Sequence, residues 1–212
     1  MPLDESAIEG FIAPEVREEL PGLRLLWAML DRRPRPDRAA IRERLRSLSD
    51  RVHGADVVAM RTRPVHHAYR AFYRQTGLDP DVQRTPAEQA ALSRLLHGTL
   101  GADDDLGGAL LIALVETGVP VWALTGDSVA PSGLGIRQTH ERDTLGQRPL
   151  GPGRLVVADE RAVHALLFDQ PVAGHRASRD SSRVALFAVG VSGVSDMHLI
   201  EALWLAAGAL GA

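Results

Sequence analysis

The sequence predicts an α+β fold in which helices pack against a mixed β-sheet to form a layered sandwich. Predicted helices and strands are interspersed along the 212 residues, but they lack the regular strand–helix–strand alternation that would favour a doubly wound sheet. Leu106–Thr117 is apolar on nearly every side, which indicates a helix buried between layers. No internal repeat is present. We therefore expect a single domain over residues 23–212, preceded by an entry segment over residues 1–22.

The chain before residue 53 is predicted to contain two helices and one buried strand. A short helix is expected over Pro14–Leu20, and the apolar run Leu23–Leu30 is long enough for a buried strand. A second helix over Asp37–Val52 carries one narrow apolar line and many arginines. We expect the apolar line to pack and the arginines to face solvent, because charge alone does not indicate an RNA-binding face.

A helical hairpin is predicted over Arg63–Gly98. Its first helix should begin near Pro64, which suits a first turn because proline has no amide proton to leave unpaired, and Thr62 could cap it. Residues four apart should form a short basic stripe on one face of this helix: His66, Arg70 and Arg74.

The second helix of the hairpin begins with a capping box, in which Thr85 and Glu88 can satisfy each other's amide groups. Its buried side should be formed by leucines at helical spacing: Leu92, Leu95 and Leu96. Asp103–Asp105 then favour the N-terminus of the next helix, where an acidic cap is stabilising. Within that helix, adjacent Gly107 and Gly108 would let another element approach closely.

The rest of the chain is predicted to contain most of the strands and a closing helix. The expected strands are Val119–Leu124, Leu134–Gln138, Leu155–Asp159, Ala162–Phe168 and Arg183–Val189. A polar loop covers Asp169–Ser182. Ser195 should cap the last helix, Asp196–Leu210, whose inward side is predicted to be formed by Leu199, Ala202, Leu203, Ala206 and Leu210.

Residues on both hairpin helices and in their turn form a recognisable set: Tyr69, Arg70, Tyr73, Arg74, Gly77, Asp79, Pro80, Arg84, Glu88, Leu92, Arg94 and Gly98. Further segments follow in a matching order and spacing: Glu116–Val121, Leu155–Asp159, Arg176–Val189 and Glu201–Leu203. Together these segments resemble stand-alone B3/B4-domain proteins, and the resemblance covers about Leu23–Leu210. The B3/B4 domain is the editing module of the phenylalanyl-tRNA synthetase beta subunit.

The resemblance implies tRNA binding and hydrolysis of tyrosine wrongly attached to the tRNA for phenylalanine. Such hydrolysis needs an oriented water and stabilisation of the developing oxyanion. The family's pocket asparagine and histidine fall on Leu111 and Trp122, and the aspartate of the stand-alone proteins falls on Gly108, so no catalytic residue is carried over. The candidate substrate pocket comprises Gly107, Gly108, Leu111 and Trp122, although Trp122 could instead fill the core.

The segment Gly174–Arg183, here called the basic loop, gives the strongest chemical signal outside the resemblance. It contains three arginines, a histidine and three serines, which can bind phosphate through forked and hydroxyl hydrogen bonds. A solvated loop with Arg179 paired to Asp180 is the simpler alternative. The candidate tRNA-binding residues are Arg70, Arg74, Arg84, Arg94, His175, Arg176, Arg179 and Arg183. No aromatic residue lies between the loop's arginines, so base stacking is not expected.

Composition narrows the chemistry further. The chain has no cysteine, which excludes disulfides and thiolate metal sites, and its net charge of -3 confines phosphate binding to a local patch. All 24 basic residues are arginine, for which a coding bias is the simpler explanation. The eight histidines lack a metal-binding spacing, and no Gly-x-Ser-x-Gly motif marks a nucleophilic serine. We expect neither a metal nor a cofactor.

The acidic N-terminus does not resemble a signal peptide, and no run approaches the ~18 apolar residues of a membrane helix. We expect a cytoplasmic protein that binds neither membranes nor DNA. The first expected function is binding of tRNA or aminoacyl-tRNA, extended to hydrolysis of a mischarged ester in trans. The alternative is a non-catalytic module that binds a small amino-acid-like ligand or a protein partner. The amino acid, the tRNA and the oligomeric state stay open.

Overall fold

Two four-stranded β-sheets form the framework of the computed structural model, which describes residues 7–32 and 37–211. The first sheet is antiparallel throughout, and its strands lie in the order β1 (Ile8–Glu9), β3 (Arg24–Asp31), β10 (Arg183–Gly190) and β4 (Val121–Thr125). The second sheet has the order β2 (Phe11–Ile12), β5 (Gly135–Gln138), β8 (Leu155–Ala158) and β9 (Val163–Leu166). Because β2 and β5 are parallel while the other pairs are antiparallel, the second sheet is mixed. A small hairpin pairs β6 (Thr144–Leu145) with β7 (Arg148–Pro149).

Seven α-helices occur in the described part of the chain. They are α1 (Pro14–Glu19), α2 (Arg38–Arg51), α3 (Gly54–Ala59), α4 (Pro64–Gln75), α5 (Pro86–His97), α6 (Asp105–Thr117) and α7 (Asp196–Ala209). Two short 3₁₀ turns cover Met60–Thr62 and Gly126–Ser128. The predicted α+β class is therefore confirmed. The prediction of a mixed sheet against the helices differs from the structure, because α6 and α7 pack against the antiparallel first sheet.

Helix α6 is the element against which several other helices pack. It packs against α7, α2 and α5 and against strand β4, and its residues Ala109, Ile112 and Ala113 are buried. Gly118 ends the helix in the left-handed conformation, with φ of 76°, which glycine adopts without strain. The prediction that Leu106–Thr117 is a buried helix is confirmed.

The entry segment contributes an edge strand to each sheet. Strand β1 pairs with β3, strand β2 pairs with β5, and Gly10 lies between the two strands. A Cβ atom at Gly10 would come within 2.5 Å of the carbonyl oxygen of Leu134, so these backbones approach each other only because glycine has no side chain. Residues 1–6 of the predicted entry segment lie outside the described residues.

Most predicted elements are present within a residue or two of their expected bounds. The inward residues of α7 are all buried: Leu199, Ala202, Leu203, Ala206 and Leu210.

Asp104 caps α6, since its carboxylate accepts a hydrogen bond from the Gly107 amide at 2.7 Å. Thr85 and Glu88 form the expected capping box of α5. Ser195 occupies the N-cap position of α7, but its hydroxyl contacts His198 Nδ1 at 2.7 Å and does not cap the helix.

Two predictions about α4 are wrong. Arg63 is the N-cap residue, and the Thr62 hydroxyl donates to the carbonyl of Ala59 at 2.9 Å, because the preceding residues turn as a 3₁₀ segment. The basic stripe is not formed, since His66 and Arg70 are both buried. Their side chains contribute to packing and internal ion pairing instead of to a charged surface.

The predicted buried side of α5 is also wrong. Its buried apolar residues are Ala87 and Ala91, which pack against Met60, whereas Leu95 and Leu96 are 38% and 71% exposed. Alanines let α5 lie close to its neighbours, and this close approach turns the longer leucines outward. The spacing of the leucines alone therefore predicted the wrong buried face of α5.

The close approach of α2 to α6 at Gly108 can be tested by substitution. A Cβ atom there would lie 2.6 Å from Cγ2 of the buried Ile41, so we expect Gly108→Ala to lower the free energy of unfolding by about 1–3 kcal/mol through overpacking. Gly208 is exposed on α7 with no atom near a Cβ, so Gly208→Ala is the matched control and should be neutral or stabilising by up to ~1 kcal/mol. Urea denaturation measures both values, and equal stabilities of the two variants would contradict the packing.

Candidate functional site

A cleft of about 430 Å³ lies between the start of α6, strand β4 and the basic loop, and is here called the α6 cleft. Its lining includes Asp103, Gly107, Leu110, Ala123, Arg176 and Ser178. Asp103 and Arg176 are exposed and carry opposite charges. The α6 cleft is therefore a polar cavity of the size that holds small ligands, with two carboxylates, those of Asp103 and Asp104, and one guanidinium in its lining.

Backbone pairing holds the basic loop beside this cleft. The Thr125 amide donates to the carbonyl of His175 at 2.8 Å, and the Ala177 amide donates to the carbonyl of Ala123 at 3.0 Å. Residues 175–177 thus run antiparallel to β4 at the edge of the first sheet, with a bridge between Arg176 and Leu124. The position of His175 and Arg176 beside the cleft is fixed by main-chain hydrogen bonds.

Arg32 anchors the middle of the basic loop from the interior. It is buried, and its Nη1 donates to the carbonyl oxygens of Ser178 and Arg179 at 2.9 and 3.0 Å. Its Nη2 lies 4.0 Å from Oδ2 of the buried Asp105, which also pairs with Arg38 at 2.9 Å. These contacts tie the loop to the end of β3 and the start of α6. The anchoring role of Arg32 and the ion pairs of Asp105 were not predicted, because their partners lie far away along the chain and no local pattern indicates them.

A line of polar side chains connects the second sheet to the basic loop, and we call it the Asp–His–His chain. His164, on β9, is fully buried, and its Nε2 lies 3.0 Å from Oδ2 of Asp159 in a contact that is not aligned as a full hydrogen bond. On the other side of the ring, Nδ1 of His164 lies 3.0 Å from Nδ1 of the half-buried His175. The chain therefore runs from a buried carboxylate to a histidine next to the α6 cleft.

The protonation of the buried members follows from their surroundings. Burial opposes ionisation of Asp159, but the amides of Ala130, Arg161 and Ala162 donate to its oxygens at 2.7, 2.7 and 2.9 Å, and the net effect is a lowered pKa. Burial also lowers the pKa of His164, against the opposing effect of Asp159. Asp159 is therefore charged and His164 neutral.

Asp159 and His164 were not predicted as site residues. Asp159 was only the last residue of a predicted strand, and His164 was only one of eight histidines without a metal-binding spacing. One feature of the sequence could have indicated His164. It stands between Val163 and Ala165 in a strand, so an apolar environment and burial are expected for it. A buried histidine needs polar partners, but the sequence does not identify them.

The four residues of the predicted substrate pocket do not share one cavity. Gly107 lines the α6 cleft, whereas Gly108 faces Ile41 of α2 and Leu111 packs against the apolar cluster that contains Ile41. Trp122 is buried in the main core, and its ring stacks on Phe187 with centroids 5.5 Å apart. Trp122 therefore fills the core, which was the alternative considered for it.

The hairpin arginines have different environments. Arg70 is buried: its Nη1 donates to Glu88 at 2.6 Å and its Nη2 to Asp81 at 2.8 Å. Arg94 donates through Nε to the carbonyl of Ser49 at 2.9 Å, which ties α5 to the end of α2. Arg74 and Arg84 are exposed. Two of the four candidate tRNA-binding residues in the hairpin thus have structural partners.

The arginines of the basic loop are all exposed. Arg179 lies 3.7 Å from Asp180, and Arg183, the first residue of β10, lies 4.0 Å from Asp31. Such exposed and loose ion pairs contribute roughly 0–1 kcal/mol, so a phosphate could displace them at little cost. The loop presents Arg176, Arg179 and Arg183 together with the half-buried His175.

A second cleft of about 390 Å³ lies beside Phe168 and is called the aromatic cleft. Its lining includes Glu19, Leu20, Phe72, Arg154, Leu155 and Phe168. Phe168 has φ of 63°, which is strained for a bulky side chain, and its ring contacts the rings of Tyr69, Phe72, Tyr73 and Trp122 at centroid distances of 5.5–6.0 Å. The aromatic contacts hold this conformation and shape one wall of the cleft.

Burial of His164 should make stability depend on pH. Because its pKa lies below the ordinary 6.5 in the folded chain, the unfolded chain binds this proton more readily, and the free energy of unfolding should decrease as the pH falls through 6.5. His164→Phe should remove the part of this decrease that His164 causes. The part that His66 causes should remain, because burial and Arg63 lower the pKa of His66 in the same direction. Urea denaturation above and below pH 6.5 measures the slope. A slope that the substitution leaves unchanged would contradict the assignment.

Among residues 7–32 and 37–211, no three His, Asp or Glu side chains are grouped so that they could hold a metal ion. No helix in this part of the chain is long and apolar enough to cross a membrane. Neither protein-family models nor curated proteins give a match to the chain.

Proposed function

We propose that the chain is a tRNA-binding protein of the B3/B4 type, which holds the aminoacyl end of a tRNA in the α6 cleft so that a mischarged ester can be hydrolysed in trans. One observation carries this proposal: Gly107 and Arg176, selected from two separate segments of the sequence, line the same cleft. The α+β architecture, with a buried α6, is compatible with the B3/B4 resemblance.

The charges of the cleft suit an aminoacyl ester. Such a group carries an α-ammonium on the amino acid and a phosphate on the adjoining nucleotide. Asp103 can pair with the ammonium and Arg176 with the phosphate, and both side chains are exposed in the cleft lining. Ser178, in the same lining, offers a hydroxyl for a further phosphate hydrogen bond. The cleft volume of about 430 Å³ accommodates an amino acid.

The basic loop would carry the electrostatic part of tRNA binding. Arg179 and Arg183 are exposed beside Arg176, whereas Arg70 and Arg94 of the hairpin are engaged internally. Phosphate contacts release counterions, so affinity that depends on these arginines must fall as salt is added. The net charge of -3 makes binding depend on this local patch.

Salt titration of tRNA binding tests the proposal. Replacing Arg176, Arg179 and Arg183 by alanine should weaken binding at low salt by about tenfold or more and reduce the slope of log K against log salt by about 3. The control variant replaces three exposed arginines elsewhere, Arg17, Arg42 and Arg142, and removes the same charge. Filter binding or fluorescence anisotropy gives both slopes. No binding at low salt, or an equal loss in the control, would overturn the proposal.

The aromatic cleft favours the second candidate function, a non-catalytic module for a free amino acid. Glu19 and Arg154 lie at its lining and could pair with the ammonium and carboxylate of the ligand, while Phe72, Leu155 and Phe168 would contact an apolar side chain. Calorimetric titration with phenylalanine distinguishes the two. We expect binding that Arg154→Ala abolishes if this function is correct, and no heat of binding if the cleft serves packing alone.

A further inference from the structure

The Asp–His–His chain is a buried polar arrangement that tRNA binding does not need. His164 is fully buried between the carboxylate of Asp159 and the ring of His175, with 3.0 Å on each side. Three backbone amides hold Asp159 in place, so the chain has a rigid inner end. His175 is half-buried, so the chain ends at a residue that is partly exposed to solvent.

The neighbours of each ring nitrogen allow its proton to be assigned. Nε2 of His164 lies 3.0 Å from the carboxylate of Asp159 without being aligned as a full hydrogen bond, and we assign the proton of this neutral ring to Nε2, because a carboxylate can only accept. Nδ1 of His164 is then an acceptor, and the proton between the two rings belongs to Nδ1 of His175. A neutral His175 protonated at Nδ1 has its lone pair on Nε2. The chain therefore presents a basic nitrogen at its outer end.

The position of His175 connects this base to the α6 cleft. The next residue, Arg176, and the nearby Ala173 both line the cleft. The carbonyl of His175 accepts a hydrogen bond from Thr125 of β4, and Ala123 of the same strand also lines the cleft. His175 thus lies between two lining residues of the cleft, Ala173 and Arg176, without lining the cleft itself, and it is held by two attachments, the main chain to β4 and the ring to His164.

We propose that His175 is the general base of an esterase site, positioned by His164 and Asp159, and that its substrate class is an amino-acid ester held in the α6 cleft. This inference rests on the proposed function for the location of the substrate. His175 is the catalytic residue, because its Nε2 would contact the attacking water. His164 and Asp159 are positioning residues that act through it.

The reaction balances without a metal or cofactor. Nε2 of His175 takes one proton from water as the water oxygen bonds to the ester carbonyl carbon, and a tetrahedral oxyanion forms. Collapse of this intermediate breaks the bond between carbon and the ribose oxygen, and the proton on Nε2 passes to that leaving oxygen. The products are the free amino acid and the ribose hydroxyl. Nδ1–H of His175 keeps its bond to neutral His164 throughout, so the imidazolium is stabilised when it forms.

Two esters test the inference, tyrosine ethyl ester and Tyr-charged tRNA for phenylalanine. His175→Ala should lower kcat by about 10²–10⁴-fold with KM little changed, and added imidazole should restore part of the rate because the missing group is an exposed base. His164→Phe, which keeps the interior filled, should lower kcat by about tenfold or more and should not be rescued by imidazole. The control is His97→Ala, which removes an exposed histidine of α5.

The outcomes separate this inference from the proposed function. Hydrolysis of tyrosine ethyl ester does not require tRNA binding, so a rate that depends on His175 supports the esterase site even if salt titration shows no tRNA affinity. Salt-dependent tRNA binding without ester hydrolysis above the buffer rate overturns the esterase site alone. A folded His175→Ala variant with the wild-type rate, or rescue of His164→Phe by imidazole, also overturns it. Denaturation curves of each variant establish that it is folded.

Discussion

Pairing of β10 with both of its neighbours is the constraint on which the rest of the structure depends. All eight residues of β10 pair with β3, five of them also pair with β4, and every residue from Val184 to Gly190 is buried. A strand with neighbours on both sides and apolar cover on both faces satisfies its backbone hydrogen bonds without water. The pairing of β10 also fixes where the segment that precedes β10 must end. The basic loop therefore has one fixed end, at Arg183, beside the ends of β3 and β4.

This fixed end explains how a polar loop becomes ordered next to a cleft. Because β3 runs antiparallel to β10, the residue after β3, Arg32, lies next to the loop, where its guanidinium can donate to two loop carbonyls. Strand β4, on the other side of β10, leaves an edge that residues 175–177 cover. Each attachment uses hydrogen bonds that would otherwise be unpaired. The cleft is formed where the covered edge of the sheet meets the start of α6.

The elements that the sequence predicted correctly are those with a local physical signal. The apolar stretch of α6, the capping box of Thr85 and Glu88, and the inward face of α7 depend on residues within a few positions of one another. The site was less predictable, because Arg32 with Ser178, and Asp159 with His164 and His175, are pairs that only the completed fold brings together. The exposed Leu96 shows the same limit: its spacing was helical, but the neighbouring elements select the alanines of α5.

Most buried polar residues in the described part of the chain have a structural reason to be there. Arg70 and Glu88 close the hairpin, Ser49 links α2 to the Leu100 amide at 2.8 Å, and Thr139 joins two loop segments.

His164 is different, because its ring contacts a carboxylate on one side and a second histidine on the other, and both contacts are to side chains. An apolar residue of similar size would pack between Val163 and Ala165 without the cost of burying a polar ring. Asp159 alone would suffice to hold its three amides. The buried imidazole helps to lower the pKa of the Asp159 carboxylate on one side, and on the other its Nδ1 contacts the ring of His175 near the α6 cleft.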